Sequence, residues 1–196
     1  MENIQRIVNE LNDSVETKKS IIDNPEIVKT ISKIIDATIA TFRNNGKIIF
    51  MGNGGSAADS QHLAAEFVSK FQMERKALPS ISLTVNTSIL TAIGNDYGYD
   101  YVFSRQVEAL TKPEDLVIGI STSGNSKNVC LALEKAKTIG AKTVGLTGQK
   151  GGDIKNISDI ALCVPSDSTP RIQEAHITIG HIICSLVESR LFTHNE

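Results

Sequence analysis

The sequence predicts an α/β fold: a three-layer, doubly wound, five-stranded parallel sheet with an N-terminal helical extension. Three observations carry this. From Lys47 onward, short runs rich in β-branched residues alternate with stretches of helical periodicity. No linker, low-complexity segment or internal repeat interrupts the alternation. Strands separated by helices need right-handed crossovers, which place helices on both faces of a parallel sheet.

The elements follow in order. Residues 2–22 and 26–44 repeat apolar positions at helical spacing, through Ile4, Ile7, Val8 and Leu11, then Ile27, Ile31, Ile34, Ile35 and Ile39. Asn24-Pro25 divides them, with proline suited to a first helical turn. These helices precede every strand, so their apolar faces can meet either the sheet or a second subunit. Strands are expected at K-I-I-F-M-G, S-I-S-L-T-V, D-L-V-I-G-I, K-T-V-G-L-T and S-D-I-A-L-C-V. Helices are expected near 56–72, 87–95 with 100–111, 125–139, 152–157 and 168–191. The whole chain, 1–196, reads as a single domain, with residues 1–45 the helical extension and oligomer contact and 46–196 the α/β core.

Bulk properties narrow the function. At 196 residues, 40% hydrophobic and 21% charged, the chain has the composition of one globular domain. A net charge of −2 argues against a nucleic-acid binder, which normally carries a basic excess. No apolar run approaches the roughly 18 residues a membrane span needs, and the N-terminus lacks a basic-then-apolar leader. Cys130, Cys163 and Cys184 form no C-x-x-C pair and read as reduced core thiols. The expectation is a cytoplasmic protein that binds neither nucleic acid nor membrane.

In parallel sheets of this kind ligands bind beyond the carboxyl ends of the strands. That rule puts G-N-G-G-S, I-S-T-S-G-N-S and L-T-G-Q-K-G-G on one rim. Gly52-Asn53-Gly54-Gly55-Ser56-Ala57 superficially fits the dinucleotide fingerprint, but the second strand ends T-V-N-T, without the acidic residue that holds a ribose. Its glycines suit a backbone approaching a smaller polar ligand, or a structural turn, with Ser56 free to cap the helix or bind. Ser121, Thr122, Ser123 and Ser126 crowd between a buried strand and a helix start. Four hydroxyls beside helix N–H groups match the three acceptor oxygens of a phosphate monoester, without any arginine.

Further along, Q-H-L-A-A-E-F sets His62 and Glu66 four apart on one helix face. That spacing serves a metal, an acid–base pair or merely a solvated surface. On the last helix Gln173 and His181 lie eight apart, about 80° around the axis and roughly 12 Å along it. His181 sits in the apolar run I-G-H-I-I-C, where a core histidine is the ordinary reading. His176 stands about 140° from His181, so the two cannot easily serve one site on a straight helix. The ~12 Å separation implies a site drawing on more than one subunit, or a bent helix.

Together G-N-G-G-S-A-A-D, I-S-T-S-G-N-S, L-T-G-x-x-G-G and R-I-Q-E-x-H resemble the sugar isomerase (SIS) domain, and more closely its phosphoheptose isomerase branch. The likeness runs over nearly the whole chain. It implies the SIS fold, a homotetramer and interconversion of sedoheptulose 7-phosphate with D-glycero-D-manno-heptose 7-phosphate, feeding ADP-heptose and lipopolysaccharide core synthesis. By motif it carries substrate binding to Asn53, Gly54, Gly55, Ser56, Glu66, Asn95, Asp96, Ser121, Thr122, Ser123, Ser126 and Gln173. Zinc falls to His62, Glu66, Gln173 and His181, and proton transfer to Glu66 and His181. Pro170 stands before Arg171 where some members have an acidic residue. A rival reading is a non-enzymatic SIS tetramer that binds the bacterial replication initiator, which the L-F-x-H ending at Leu191 to His194 also resembles. A binding module has no use for Glu66 and His181, so the isomerase is preferred.

Overall fold

A computed structural model describes residues 2–193. His194, in the L-F-x-H ending, lies outside them. Five parallel strands form one sheet in the order β2-β1-β3-β4-β5: β1 Ile48–Gly52, β2 Ser80–Ser82, β3 Leu116–Ser121, β4 Lys142–Thr147 and β5 Ile160–Cys163. The order reverses between β1 and β3, whose registers pair Ile48 with Leu116 through Gly52 with Ile120. A crevice opens at such a switch point because the flanking connections leave in opposite directions.

Strand alternation sorts the two cores. Ile48, Phe50, Leu116, Ile118, Val144 and Leu146 face one cluster with α2 (Pro25–Arg43), α3 (Gly55–Val68) and α8 (Thr169–Phe192). Ile49, Met51 and Val117 face the other, with α5 (Ser104–Leu110), α6 (Lys127–Ile139) and α7 (Gly152–Ile157). The two layers of helix around a sheet are the predicted three. β1 and β3 are buried at every position, which is why they read as unbroken apolar runs.

The N-terminal pair divides. Asn24 caps α2 through its side chain, Pro25 opens it, and Ile31, Ile34, Ile35, Ala37, Thr38, Ile39 and Thr41 are buried, so α2 belongs to a core layer. The extension is α1 (Glu2–Ile22), whose Ile4, Ile7, Leu11 and Val15 stay exposed. Elsewhere α3 stops at Val68, four residues short of the predicted end, because the chain turns at Ser69 to reach β2. β2 is only Ser80–Ser82, since it is an edge strand paired on one side. Between α4 (Thr87–Asp96) and α5 lies a single 3-10 turn at Tyr99–Tyr101. No helix among the described residues is long and apolar enough to cross a membrane.

Candidate functional site: a hydroxyl rim and a histidine–glutamate cluster

The rim forms where β1 and β3 end side by side. Gly54, at φ +56°, is the N-cap of α3 and faces open space, a conformation and a clearance that a side chain would spoil. Ser56 does not cap the helix: it lies one residue inside α3 and is buried. Asn53 and Asn128 exchange two amide hydrogen bonds, each 2.9 Å, and the Tyr99 hydroxyl donates to Asn53 at 3.3 Å. These bonds tie the first loop to the start of α6.

In the hydroxyl loop, Ser121 sits 2.9 Å from Ser126 and 3.4 Å from Ser123, oxygen to oxygen. Ser126 is the N-cap of α6, yet its side chain makes no capping bond; it turns to Ser121 instead. The Ser126 side chain thus caps no N–H of this 13-residue helix; the Val129 N–H bonds to Asn128 Oδ1 at 2.9 Å, and those of Lys127 and Asn128 have no side-chain cap. Thr122 and Ser123 line an open cavity of ≈ 320 Å³ with Asn125, Gln149, Lys150 and Ser166. Asn95 and Asp96 end α4, exposed, and Asn95 donates to Asp96 rather than to the rim.

The second feature stands on α3 and α8. Gln173 packs over Gly55 and Leu63 packs over Gly180, so the two helices run side by side in the same direction. A Cβ on Gly180 would come within 2.5 Å of Leu63; the bare glycine is what lets the axes approach. The residues next to this contact, His62 and His181, consequently meet with their Nε2 atoms 2.8 Å apart. Glu66 completes the group, its carboxylate 3.2 Å from His62 Nε2. One ligand atom each from His62, Glu66 and His181 lies within 4.8 Å of the others.

Two imidazole nitrogens and a carboxylate oxygen are a donor set that zinc accepts. Two bare Nε2 lone pairs at 2.8 Å would repel unless a proton or a cation lay between them. The residues fit the metal. α8 is one continuous helix, and Gln173 stays with Gly55 instead of joining the cluster. Glu66 and His181 therefore come together within one chain.

His176 occupies the opposite face of α8. It is buried, with Nε2 bonded to the Thr147 carbonyl at 3.1 Å and Nδ1 without a partner among the described residues. Burial holds its imidazole down at about 4, against a weaker upward pull from that bond, so it is neutral at pH 7. Of the histidines on α8, this is the core one and His181 the available one. Burial, then the nearby Glu66 charge, pushes the Cys184 thiol up to about 12, which makes it inert.

Arg171 donates to Glu174 at 2.8 Å and to the Glu10 carbonyl, tying α8 to α1. Pro170 stands in the first turn of α8, where its missing N–H costs no helix bond. Phe192, in the segment shared with the initiator-binding reading, packs against the core with the Arg75 guanidinium 5.9 Å over its ring.

Five residues at or beside the site are not marked by any of the sequence motifs. Asn128 lies two residues past the end of I-S-T-S-G-N-S, in the first turn of α6, where its residue type is the only signal it offers. Tyr99, Phe71 and the Arg75–Glu188 pair carry no local signature.

Likeness to known proteins gives the family. The SIS domain profile matches residues 4–148. A phosphoheptose isomerase of Clostridium acetobutylicum is 55% identical over 183 residues, 93% of each chain. The chain belongs to the phosphoheptose isomerase family of SIS-domain proteins. Among solved structures, a phosphoheptose isomerase from Neisseria gonorrhoeae superposes with a TM-score of 0.89 at 40% identity, covering 94% of this chain and 98% of its own. One from Francisella tularensis gives 0.91 at 35%, covering 96% and 100%.

Proposed function

We infer that the chain is an aldose–ketose isomerase interconverting sedoheptulose 7-phosphate and D-glycero-D-manno-heptose 7-phosphate. The observation that carries this reading is the meeting of His62, Glu66 and His181 within 4.8 Å, which a sugar-phosphate binding module does not need. The reaction moves a proton between adjacent carbons through an enediol, and so requires a base, an acid and a means of holding developing oxyanion charge.

Ser121, Thr122, Ser123 and Ser126, with the first N–H groups of α6, hold the phosphate by uncharged donors. Asn53, Gly54, Gly55, Ser56, Asn95, Asp96 and Gln173 contact the sugar. The Glu66 carboxylate takes the proton from one carbon and returns it to the neighbouring carbon, while the His181 imidazole moves a proton between the two attached oxygens. His62, Glu66, Gln173 and His181 would hold zinc, with Gln173 moving from its place on Gly55. Zinc bound there would polarise the carbonyl and align the adjacent hydroxyl.

The same reading includes a homotetramer, supported by the exposed apolar positions of α1 and by an α4 that buries none of its residues within the chain. It also includes a cytoplasmic enzyme supplying heptose for ADP-heptose and lipopolysaccharide core synthesis. Incubating the purified protein with sedoheptulose 7-phosphate, with and without a chelator, tests it. Aldose product that disappears on chelation is expected. An inert wild type that binds the replication initiator tightly would point to the rival instead.

A further inference from the structure

The cluster on α3 and α8 is exposed on one side, so something must hold its three side chains in place before substrate arrives. Directly behind it lies the most heavily bonded buried group of the described residues. The side chains of Arg75 and Glu188 are 1% and 2% exposed, and Arg75 Nε donates to Glu188 Oε1 at 2.8 Å. Both carboxylate oxygens also accept backbone N–H groups, from Phe71 at 3.1 Å, Gln72 at 2.7 Å and Met73 at 3.2 Å. Burial pushes Glu188 up, but those N–H groups and the guanidinium outweigh it and leave the carboxyl below its ordinary value. It is a fixed anion.

Each arm of this pair ends at the cluster. Arg75 Nη2 donates to the Glu66 carbonyl at 2.8 Å, and Nη1 donates to the Phe67 carbonyl at 2.9 Å. Those carbonyls belong to the last turn of α3, which has no helical partner for them. A cation there also complements the helix dipole. Glu188 stands seven residues beyond His181, two turns along the same face of α8. By gathering the N–H groups of the 71–73 loop, its carboxylate lays the Phe71 ring on His181, with centroids 5.5 Å apart and planes at 27°. Ser185, on the same face of α8, donates to the Gln72 side chain at 3.0 Å and pins the loop further.

We propose that the Arg75–Glu188 ion pair, acting through the α3 terminus and Phe71, is the positioning device that sets Glu66 and His181 against His62. This rests on the isomerase reading. Arg75, Glu188 and Phe71 are positioning residues, since each acts through Glu66 or His181 and none is assigned a contact with the substrate itself. Outer contacts of this type typically shift metal affinity or activity by about 10- to 100-fold.

The test uses metal-free full-length protein titrated with Co2+ and read by visible absorption, beside isomerase kinetics. In Glu188→Gln one oxygen becomes a donor facing donors, and Arg75 loses its counter-charge. Expected are cobalt affinity and kcat each reduced about 10- to 100-fold, with KM for the sugar phosphate nearly unchanged because the rim is untouched. Phe71→Leu keeps the ion pair and removes only the stacked ring. It should lower both values a few-fold to about tenfold, the size of one lost ring contact, and Phe71→Tyr should restore them.

A folded Glu188→Gln with wild-type cobalt affinity and kcat overturns the proposal. So does a variant that merely melts earlier with both values intact. Should Glu188→Gln not fold, a Phe71→Leu protein indistinguishable from wild type overturns it equally. A wild type that neither takes up cobalt nor isomerises the sugar phosphate overturns the functional reading itself.

Discussion

The hydroxyl rim and the histidine–glutamate cluster are built by opposite means. The rim is local: Ser121, Ser123 and Ser126 lie within six residues and are delivered by one strand end and one helix start. The cluster is remote: His62 and His181 stand 119 residues apart and meet only because Gly180 lets α3 and α8 close on each other. A site that recognises phosphate needs only donors pointing outward from a loop. A site that moves a proton needs groups held against each other, and that precision comes from packed helices.

The sharpest way to break this comparison is Glu66→Gln. If proton transfer belongs to the cluster, kcat falls about 1000-fold, within the usual range for a lost general base, while KM changes little. Steady-state kinetics on sedoheptulose 7-phosphate decide it, and near-normal turnover would remove Glu66 from the mechanism.

The next test sets the two histidines of α8 against each other. His176 stays neutral in the folded chain down to about 4, whereas in the unfolded chain it takes a proton below its ordinary 6.5. The unfolded state then binds more protons across that window, so stability is intact above pH 6.5 and declines as pH falls toward 4. The loss reaches up to about 3 kcal/mol. Urea unfolding at pH 7 and pH 4 measures it, and a His176→Gln variant should flatten the slope.

Gly180→Ala probes the approach of the helices. The added methyl meets Leu63, so a loss of about 1–3 kcal/mol is expected from overpacking, together with weaker metal uptake as the histidines part. Thermal unfolding with a zinc titration reads both, and retained zinc affinity would show that the close contact does not set the cluster.

Ser126→Ala is the mildest. One hydrogen bond to a charged phosphate is worth about 1.5–3 kcal/mol at most, and the neighbouring hydroxyls compensate in part. KM should therefore rise about tenfold with kcat nearly constant. A matching fall in kcat instead would mean that rim and cluster are not separable.

Much of this was legible in the chain. β1 and β3 stood out because both faces are covered, so that Ile48–Gly52 and Leu116–Ile120 run without polar alternation. His62 and Glu66 were readable as neighbours from the helical repeat alone. That α2 is core and α1 is not could not be read, because both are amphipathic. Only the sheet decides which face is taken, and α2 lies upon it. Ser56 likewise had the type of a capping residue, yet the chain starts α3 at Gly55 with Gly54 as cap.

By itself the sequence determined the strands, the crossovers, the hydroxyl rim and the His62–Glu66 spacing, all of which depend on residues a few positions apart. Tertiary structure alone decided that His181 faces α3 while His176 faces β4, and that Arg75 and Glu188, 113 residues apart, lock together behind the cluster. Local geometry repeats along the chain and can be read from it. The azimuth of a helix against its neighbour is set by side-chain volumes from distant segments, and no short stretch contains that information.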